Sequence, residues 1–435
     1  MTKRLLAALS IAVVGTLVLA TVGSGGTSKK QATPLPSSSC APLVYKGSGT
    51  PKFLIASDLP RQGAQRSQSN QMTQAEQFVM SGAHWKAGAY TVGFQDCDDS
   101  TAQAGKWDSA KCSQNGNAYA RNSSVIGVVG TFNSGCSEII VPILNRAPGG
   151  PVGMVSPANT YTGLTTAGPG TAPGEPNKYY PTGKRNYARV VAQDQYQGAA
   201  DAMLMKRLGV KKVYILNDKE AYGLGVATNT RNSVNLLKIK VTGFSAFDPK
   251  ASDYTALATK IKGTGADALY IGGLVCENGG KLIKDMRSTL GPKVKLILPD
   301  GFTPISAVAQ GAGAAAEGAY VSVAGVPNSQ LKGTGKAFLA AFTKQLHGTP
   351  PDPYAVYAAQ AMVVMLNAIS KSNGTRASVA QQILKTNLTN SITGTVRFNA
   401  QGDVQGGPVA IYRIKAGKST DYTVLYPPNS LVKKA

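Results

Sequence analysis

The residues best suited to holding a small charged molecule sit in short polar runs that each follow an apolar run. Gly130-Thr131-Phe132-Asn133-Ser134-Gly135-Cys136-Ser137 comes directly after Val125 to Val129 and opens a stretch of helical spacing. Backbone N–H groups at a helix start point at whatever occupies such a turn, and the helix dipole favours negative charge there. The turn therefore suits a carboxylate, with Ser134 and Ser137 able to add hydroxyl donors, although ordinary helix capping uses the same residue types. Ser156-Pro157-Ala158-Asn159-Thr160-Tyr161, after Val152 to Val155, offers a second turn of hydroxyls and amides. Three other runs offer the opposite sign. They are Asn217-Asp218-Lys219-Glu220-Ala221-Tyr222-Gly223, Gly272-Gly273-Leu274-Val275-Cys276-Glu277-Asn278 and Pro299-Asp300-Gly301-Phe302, each again after an apolar run. Their carboxylates and tyrosine suit an ammonium group. A zwitterion reaching both sets would find charge-assisted hydrogen bonds at each end.

The elements that must position these runs follow from hydrophobic periodicity. Phe53 to Ala56, Tyr90 to Gln95, Val125 to Val129 and Val152 to Val155 read as strands, with helical spacing over Gln71 to Trp85, around Ala118-Tyr119 and over Ile139 to Leu144. A second set then begins. Helices over Gln195 to Leu208, Leu224 to Leu237, Tyr254 to Ile261 and Lys281 to Leu290 alternate with strands over Val213 to Leu216, Ile239 to Phe244, Ala268 to Ile271 and Val294 to Leu298. Helices at Lys336 to Leu346, Tyr354 to Ile369 and Ala377 to Leu384 precede three strand-like runs, Gly394 to Phe398, Val409 to Ile414 and Tyr422 to Leu425. Such alternation implies an α/β fold of mainly parallel sheets covered on both faces, and two successive sets imply two lobes. Ligands in such sheets bind beyond the carboxyl ends of the strands, where the polar runs fall. Thr162 to Arg185, with five Gly and four Pro, reads as a long surface loop between the sets.

Several classes of chemistry leave no mark. There is no G-x-S-x-G elbow, no phosphate-binding G-x-x-x-x-G-K-[ST] and no H-E-x-x-H, and Gly223-Leu224-Gly225 lacks the third glycine of a dinucleotide fingerprint. The two histidines, His84 and His347, lie near helix ends. No cysteine pair is spaced C-x-x-C, so neither a metal nor a cofactor is expected, and the chain reads as a binding protein and not an enzyme. The net charge of +23 raises nucleic acid as a partner, but the cations come no closer in sequence than pairs such as Lys211-Lys212, without interleaved aromatics. A basic surface suited to an anionic cell envelope is the plainer expectation.

The chain starts with Lys3 and Arg4, an uncharged and mainly apolar run of sixteen residues from Leu5 to Ala20, and then small residues. That order is a secretory signal peptide, too short in its apolar part to span a bilayer readily. The first cysteine, Cys40, is too far on for a lipid anchor. Residues 21–51, rich in Ser, Gly, Pro and Thr, read as a flexible lead-in. The five cysteines fit an oxidising compartment. Cys97 and Cys112 can close a loop of about 15 residues, stabilising by roughly 3 kcal/mol. Cys40, Cys136 and Cys276 leave the connectivity open.

At the polar runs the sequence resembles the branched-chain amino acid (Leu/Ile/Val) binding proteins, the type I solute-binding subunits of ABC importers. The stretches that carry the resemblance run in order from Ser57-Asp58-Leu59-Pro60-Arg61-Gln62-Gly63 through Gly130-Thr131-Phe132-Asn133-Ser134, Ser156-Pro157-Ala158-Asn159-Thr160, Ala221-Tyr222-Gly223, Tyr270-Ile271-Gly272-Gly273, Leu298-Pro299-Asp300-Gly301 and Tyr357-Ala358-Ala359-Gln360 to Gly402-Asp403-Val404-Gln405-Gly406. The resemblance implies three hinge crossovers, near Val190, Val323 and Phe398. It implies one lobe from residues 52–190 plus 324–397 and another from 191–323 plus 398–435. It further implies that Ser134, Ala158 and Thr160 hold a ligand carboxylate, that Asp300 faces the ammonium, and that Tyr222 and Tyr357 line the cleft. Leu274 stands where the family often has an aromatic. The expected function is capture of an amino acid outside the cytoplasmic membrane, by a monomer, for delivery to an ABC permease. Other expectations are a ligand-sensing receptor component on the same fold, or an amide, urea or aromatic acid as ligand.

Overall fold

The computed structural model describes residues 31–432. The expected signal peptide, residues 1–20, and residues 21–30 of the lead-in lie outside the described residues.

The first βα units run in sequence: β1 (Phe53–Leu59), α1 (Arg66–Gly82), β2 (Lys86–Ala87) and β3 (Tyr90–Asp98), then a small hairpin of β4 (Ser100–Thr101) and β5 (Lys106–Trp107). After it come α2 (Ser109–Arg121), β6 (Val125–Gly130), α3 (Ser134–Asn145), β7 (Gly153–Ser156) and β8 (Tyr187–Arg189). These strands form a six-stranded sheet of order β2-β3-β1-β6-β7-β8, parallel except for the short β2. β6 is Val-Ile-Gly-Val-Val-Gly and buried along its whole length, as a strand covered on both faces must be.

The second set is α4 (Asp194–Arg207), β9 (Lys212–Asn217), α5 (Ala221–Leu236), β10 (Lys240–Ala246), α6 (Thr255–Gly263), β11 (Ala268–Gly272), α7 (Gly280–Leu290), β12 (Lys295–Leu298), α8 (Ile305–Ala312) and β13 (Tyr320–Ala324). The chain returns to the first sheet with α9 (Gly333–Gln345), α10 (Pro353–Ser370) and α11 (Arg376–Leu384), of which α10 packs on α1, β6 and β7. A two-stranded ribbon, β14 (Asn387–Ser391) and β15 (Gly394–Arg397), follows. β16 (Val409–Lys415) and β17 (Lys418–Leu425) then close the second sheet in antiparallel fashion, giving the order β10-β9-β11-β12-β13-β16-β17. The fold is thus α/β with two lobes. The chain passes between them three times: after Arg189, after Ala324 and after Arg397. The first and third passages are tied by the fully buried Arg189, whose Nε donates to Asp403 at 2.7 Å and whose N–H donates to the Gly402 carbonyl at 3.0 Å.

Three expectations are corrected. Residues 31–51 are not a flexible lead-in. They lie along the free edge of β3, with Val44 paired to Phe94, Ala41 N–H donating to the Asp96 carbonyl at 2.7 Å and Leu35 buried. Their composition is that of a linker, but an open sheet edge offers unpaired backbone groups that even a Ser/Pro-rich segment can satisfy. The Cys97–Cys112 loop does not form. Cys97 bonds Cys40 of this docked segment, Cys112 bonds Cys136, and Cys276 is a free thiol, so no disulfide spans the lobes. Thr162 to Arg185 is no surface loop: Leu164, Thr165, Tyr179 and Tyr180 are buried, and Glu175 accepts from the hydroxyls of Tyr161 and Tyr179. The strand expected from Gly394 is present as β15, which pairs with β14 and joins neither large sheet.

Candidate functional site

Six of the seven residues singled out in the sequence line one small cavity between the lobes. Phe132, Asn133, Ser134, Ala158 and Thr160 come from the first lobe, and Tyr222, Leu274, Asp300 and Gly301 from the second. The cavity measures about 20 Å³, so the two walls meet with room for roughly one water. The lobes are closed upon each other.

The first wall carries no carboxylate. β6 ends at Gly130, and α3 opens at Ser134 with Asn133 in the N-cap position but no side-chain cap. The positive end of α3 therefore faces the cavity with Ser134 Oγ beside it, which accepts from Tyr161 N–H at 3.4 Å. Behind the wall lies a buried network centred on Asn159. Its Nδ2 donates to the carbonyls of Thr131 and Phe132 at 3.0 and 2.9 Å, and its Oδ1 accepts from Ser137 and Tyr187 hydroxyls at 2.5 and 3.0 Å. Ser156 Oγ donates to the Thr131 carbonyl and accepts from Asn159 N–H. Two loops about 25 residues apart in sequence are so stitched into one rigid donor surface.

The second wall is acidic. Asp300 follows β12 and opens a one-turn helix, Asp300–Phe302. It is buried. Its Oδ1 accepts from the Tyr222 hydroxyl at 2.5 Å, and its Oδ2 accepts from the Tyr354 hydroxyl. The Tyr222 oxygen in turn accepts from Gly301 N–H at 2.8 Å. Burial pushes the Asp300 carboxyl above the usual carboxylate range, while both phenols oppose that shift. Behind it on α4, burial raises the carboxyls of Asp194 and Asp201 to about 8 each. Leu274 packs with Tyr222 and Val226, and Trp107 of the opposite lobe covers them.

Tyr357 does not reach this cavity. Its hydroxyl accepts from Val326 N–H at 3.1 Å, and the ring lines a separate hollow of about 510 Å³ among the three passages between lobes. Tyr354, three residues earlier on α10, lies buried behind the cavity wall, bonding Asp300 and meeting Phe132 edge-on at 5.4 Å. The sequence reading missed Tyr354. It also missed Asn159 as an organiser, though Asn159 lies inside the polar run Ser156 to Tyr161.

The β4–β5 hairpin adds cross-lobe contacts with no signal in the local residue pattern. Lys106 Nζ lies 3.1 Å from Glu220 Oε1 and also pairs with Glu277, and Trp107 Nε1 donates to Glu220 Oε2 at 3.3 Å. Burial, then the neighbouring Glu277, raises the Glu220 carboxyl to about 7. Burial alone would depress the Lys106 ammonium, but Glu220 and Glu277 outweigh it and hold its pKa above the ordinary value. Among the described residues, the one group of potential metal ligands, Asp99 with Cys112 and Cys136, has both sulfurs in a disulfide and so loses its thiolates.

A family model described as "Periplasmic binding protein" matches residues 108–419. Among curated relatives, an amino acid binding protein of Pseudomonas aeruginosa is 25% identical over 298 residues, covering 68% of this chain and 73% of that protein. A Leu/Ile/Val-binding protein homolog of Brucella abortus is 25% identical over 390 residues, covering 88% and 96%. Among solved structures, a leucine binding protein from Thermotoga maritima matches with a TM-score of 0.74 at 22% identity, covering 86% of this chain and 99% of that one. A solute binding protein from R. palustris in complex with benzoate matches with a TM-score of 0.70 at 19% identity, covering 86% and 96%.

Proposed function

The chain belongs to the periplasmic binding protein family, and from that premise we propose that it captures a small zwitterion, an amino acid of the branched-chain type, and delivers it to an ABC importer outside the cytoplasmic membrane. The observation that carries this reading is the pairing of walls: a neutral wall of donors with Ser134, Ala158 and Thr160 faces a wall whose one cavity-lining carboxylate is Asp300. In this reading the ligand carboxylate lies at the start of α3, its ammonium meets Asp300, and its side chain lies among Phe132, Tyr222 and Leu274. Neither wall alone satisfies both charges, so the ligand binds the closed form better than the open one and shifts the population toward it. Opening occurs at the three passages between lobes, as hinge closure requires. The chain acts as a monomer and hands its ligand to a permease.

A second reading keeps the fold and changes the ligand to an aromatic carboxylate. It is favoured by one feature: both oxygens of Asp300 already accept from phenols, so a ligand without an ammonium leaves neither oxygen without a hydrogen bond. Thermal unfolding against a panel of amino acids, amides and aromatic acids separates the two. A ligand at 100 times its dissociation constant adds about 2.7 kcal/mol to the folded state. A higher midpoint with leucine, isoleucine or valine supports the first reading. A rise with benzoate alone moves the ligand, and no rise with any of them refutes both.

A further inference from the structure

The far end of the second lobe is an unclaimed surface of concentrated charge. β9, β10, β11 and β12 are parallel, so their carboxyl ends meet the cleft and all their starts lie at the opposite end. At that end Lys211 and Lys212 lead into β9, Lys238 and Lys240 into β10, and Lys260 and Lys262 close α6. All six are exposed. Lys211, Lys212, Lys238 and Lys240 are brought together by strand pairing, and Lys260 and Lys262 stand on the last turn of the helix that returns to the same end. Lys240 and Lys212 are register partners on adjacent strands, about 4.8 Å apart in the hydrogen-bonding direction. The loop after α6 abuts both strands: Thr264 Oγ1 lies 3.1 Å from Thr242 Oγ1, and Lys212 Nζ is 3.8 Å from where a Cβ on Gly265 would stand. Among the described residues, none of the six makes an ion pair. The carboxylate among them, Asp267, is turned onto the backbone N–H groups of Lys211 and Lys212 at 2.9 and 3.1 Å.

Exposed lysines also keep sheet edges soluble, but that role needs a few charges along an edge strand. It does not need six gathered at the strand starts of two strands and a helix end. Like charges so close repel one another, and a partner of opposite charge relieves the repulsion. All six are lysines. An ammonium is a point charge on a flexible stem, without the planar fork with which arginine reads a fixed carboxylate or phosphate. Such a patch suits a flexible chain of repeated anions better than a single bound ion.

We propose that this patch binds a linear polyanion carrying repeated phosphate groups, holding the protein to an anionic polymer of the envelope while the cleft at the other end of the sheet stays free. The attraction comes from neutralising the patch and releasing counterions, so it weakens steeply with salt.

The test uses inorganic polyphosphate as the probe and the full mature chain. The parent is expected to bind at about 0.15 M salt, and K211Q/K212Q/K238Q/K240Q to lose at least about tenfold in affinity, with a salt slope shallower by about 3, at roughly 0.7 per lost contact. The matched control replaces four exposed cations at the ends of helices and strands of the first lobe, K86Q/R121Q/R146Q/K371Q, and is expected to lose less than about threefold by the same scaling. Far-ultraviolet circular dichroism checks that both variants fold. Equal losses in the two variants, or no polyphosphate binding by the parent, would overturn the proposal. So would binding to phosphatidylglycerol vesicles with none to polyphosphate, which would assign the patch to the membrane surface. None of these outcomes depends on which solute the cleft takes.

Discussion

The two walls of the cleft solve opposite problems with different materials. The first wall presents a helix start, hydroxyls and backbone amides, all neutral, and its precision comes from the Asn159 network behind it. The second presents a buried carboxylate, Asp300, backed by two further buried acids on α4, with Glu220 and Glu277 at the rim. A neutral donor wall keeps its shape whether or not a ligand is present. A buried acid wall is costly until something satisfies it. Ligand charge is therefore worth most on the second wall, and closure is what brings it there. Tyr354 sharpens the contrast, since it sits on α10 of the first lobe yet donates to Asp300 of the second.

The strongest way to break this contrast is Asp300→Asn. We expect leucine affinity to fall by about 2–5 kcal/mol, the usual cost of removing one partner of a buried charge pair, as read by calorimetry. An unchanged affinity would show that the second wall does not hold the ammonium. Next comes Tyr354→Phe, which removes a hydrogen bond to a charged group and should cost about 1.5–3 kcal/mol. Tyr357→Phe, one turn on, should leave leucine affinity nearly unchanged, and equal effects of the two would erase the distinction drawn between them.

The acids behind Asp300 make a prediction about stability. Burial raises the Asp201 carboxyl to about 8, against an ordinary 3.8. Between those values the unfolded chain has released this proton and the folded chain has kept it, so stability falls as pH rises from about 4 to about 8. Asp201→Asn should stabilise the protein by on the order of 1 kcal/mol at pH 8, with the gain vanishing near pH 4. Denaturant midpoints at the two pH values measure it, and a gain that does not shrink on acidification would contradict the assignment.

The smallest effect concerns the clasp at the rim. Lys106→Met removes partly exposed ion pairs to both Glu220 and Glu277, for which we expect about 1 kcal/mol or less in affinity. The sensitive readout is Trp107 emission in a Trp85→Phe background, since these are the two tryptophans of the chain. The variant should show redder emission before ligand is added, as its lobes spend more time apart. Identical spectra would mean that Lys106 plays no part in holding the lobes together.

Much of this was legible without coordinates. Alternating apolar runs of two periods dictate a parallel α/β fold, because each strand that must be buried on both faces is continuous in hydrophobicity and each helix is striped. Once the strands are placed, the polar runs after their carboxyl ends are candidates by rule; picking Ser134, Ala158, Thr160, Tyr222, Leu274 and Asp300 out of those runs rests on the resemblance to the Leu/Ile/Val-binding proteins. The choice between Tyr354 and Tyr357 did not follow. α10 is buried almost all round, so its apolar pattern has no polar face to fix its rotation. A helix of that kind hides which tyrosine reaches Asp300 until its neighbours are known.

The sequence by itself determined the order of elements, the placement of the polar turns and the sign of charge each turn offers, because those depend on residues near one another along the chain. Only the tertiary structure decided the cysteine partners, the docking of residues 31–51 on the edge of β3, the reach of Lys106 across the cleft and the pooling of thinly spread lysines into one patch. Each of these depends on which distant segments become neighbours. Parallel topology returns every strand start to the same end of the sheet, and so it turns pairs of lysines roughly 25 residues apart into a single charged surface.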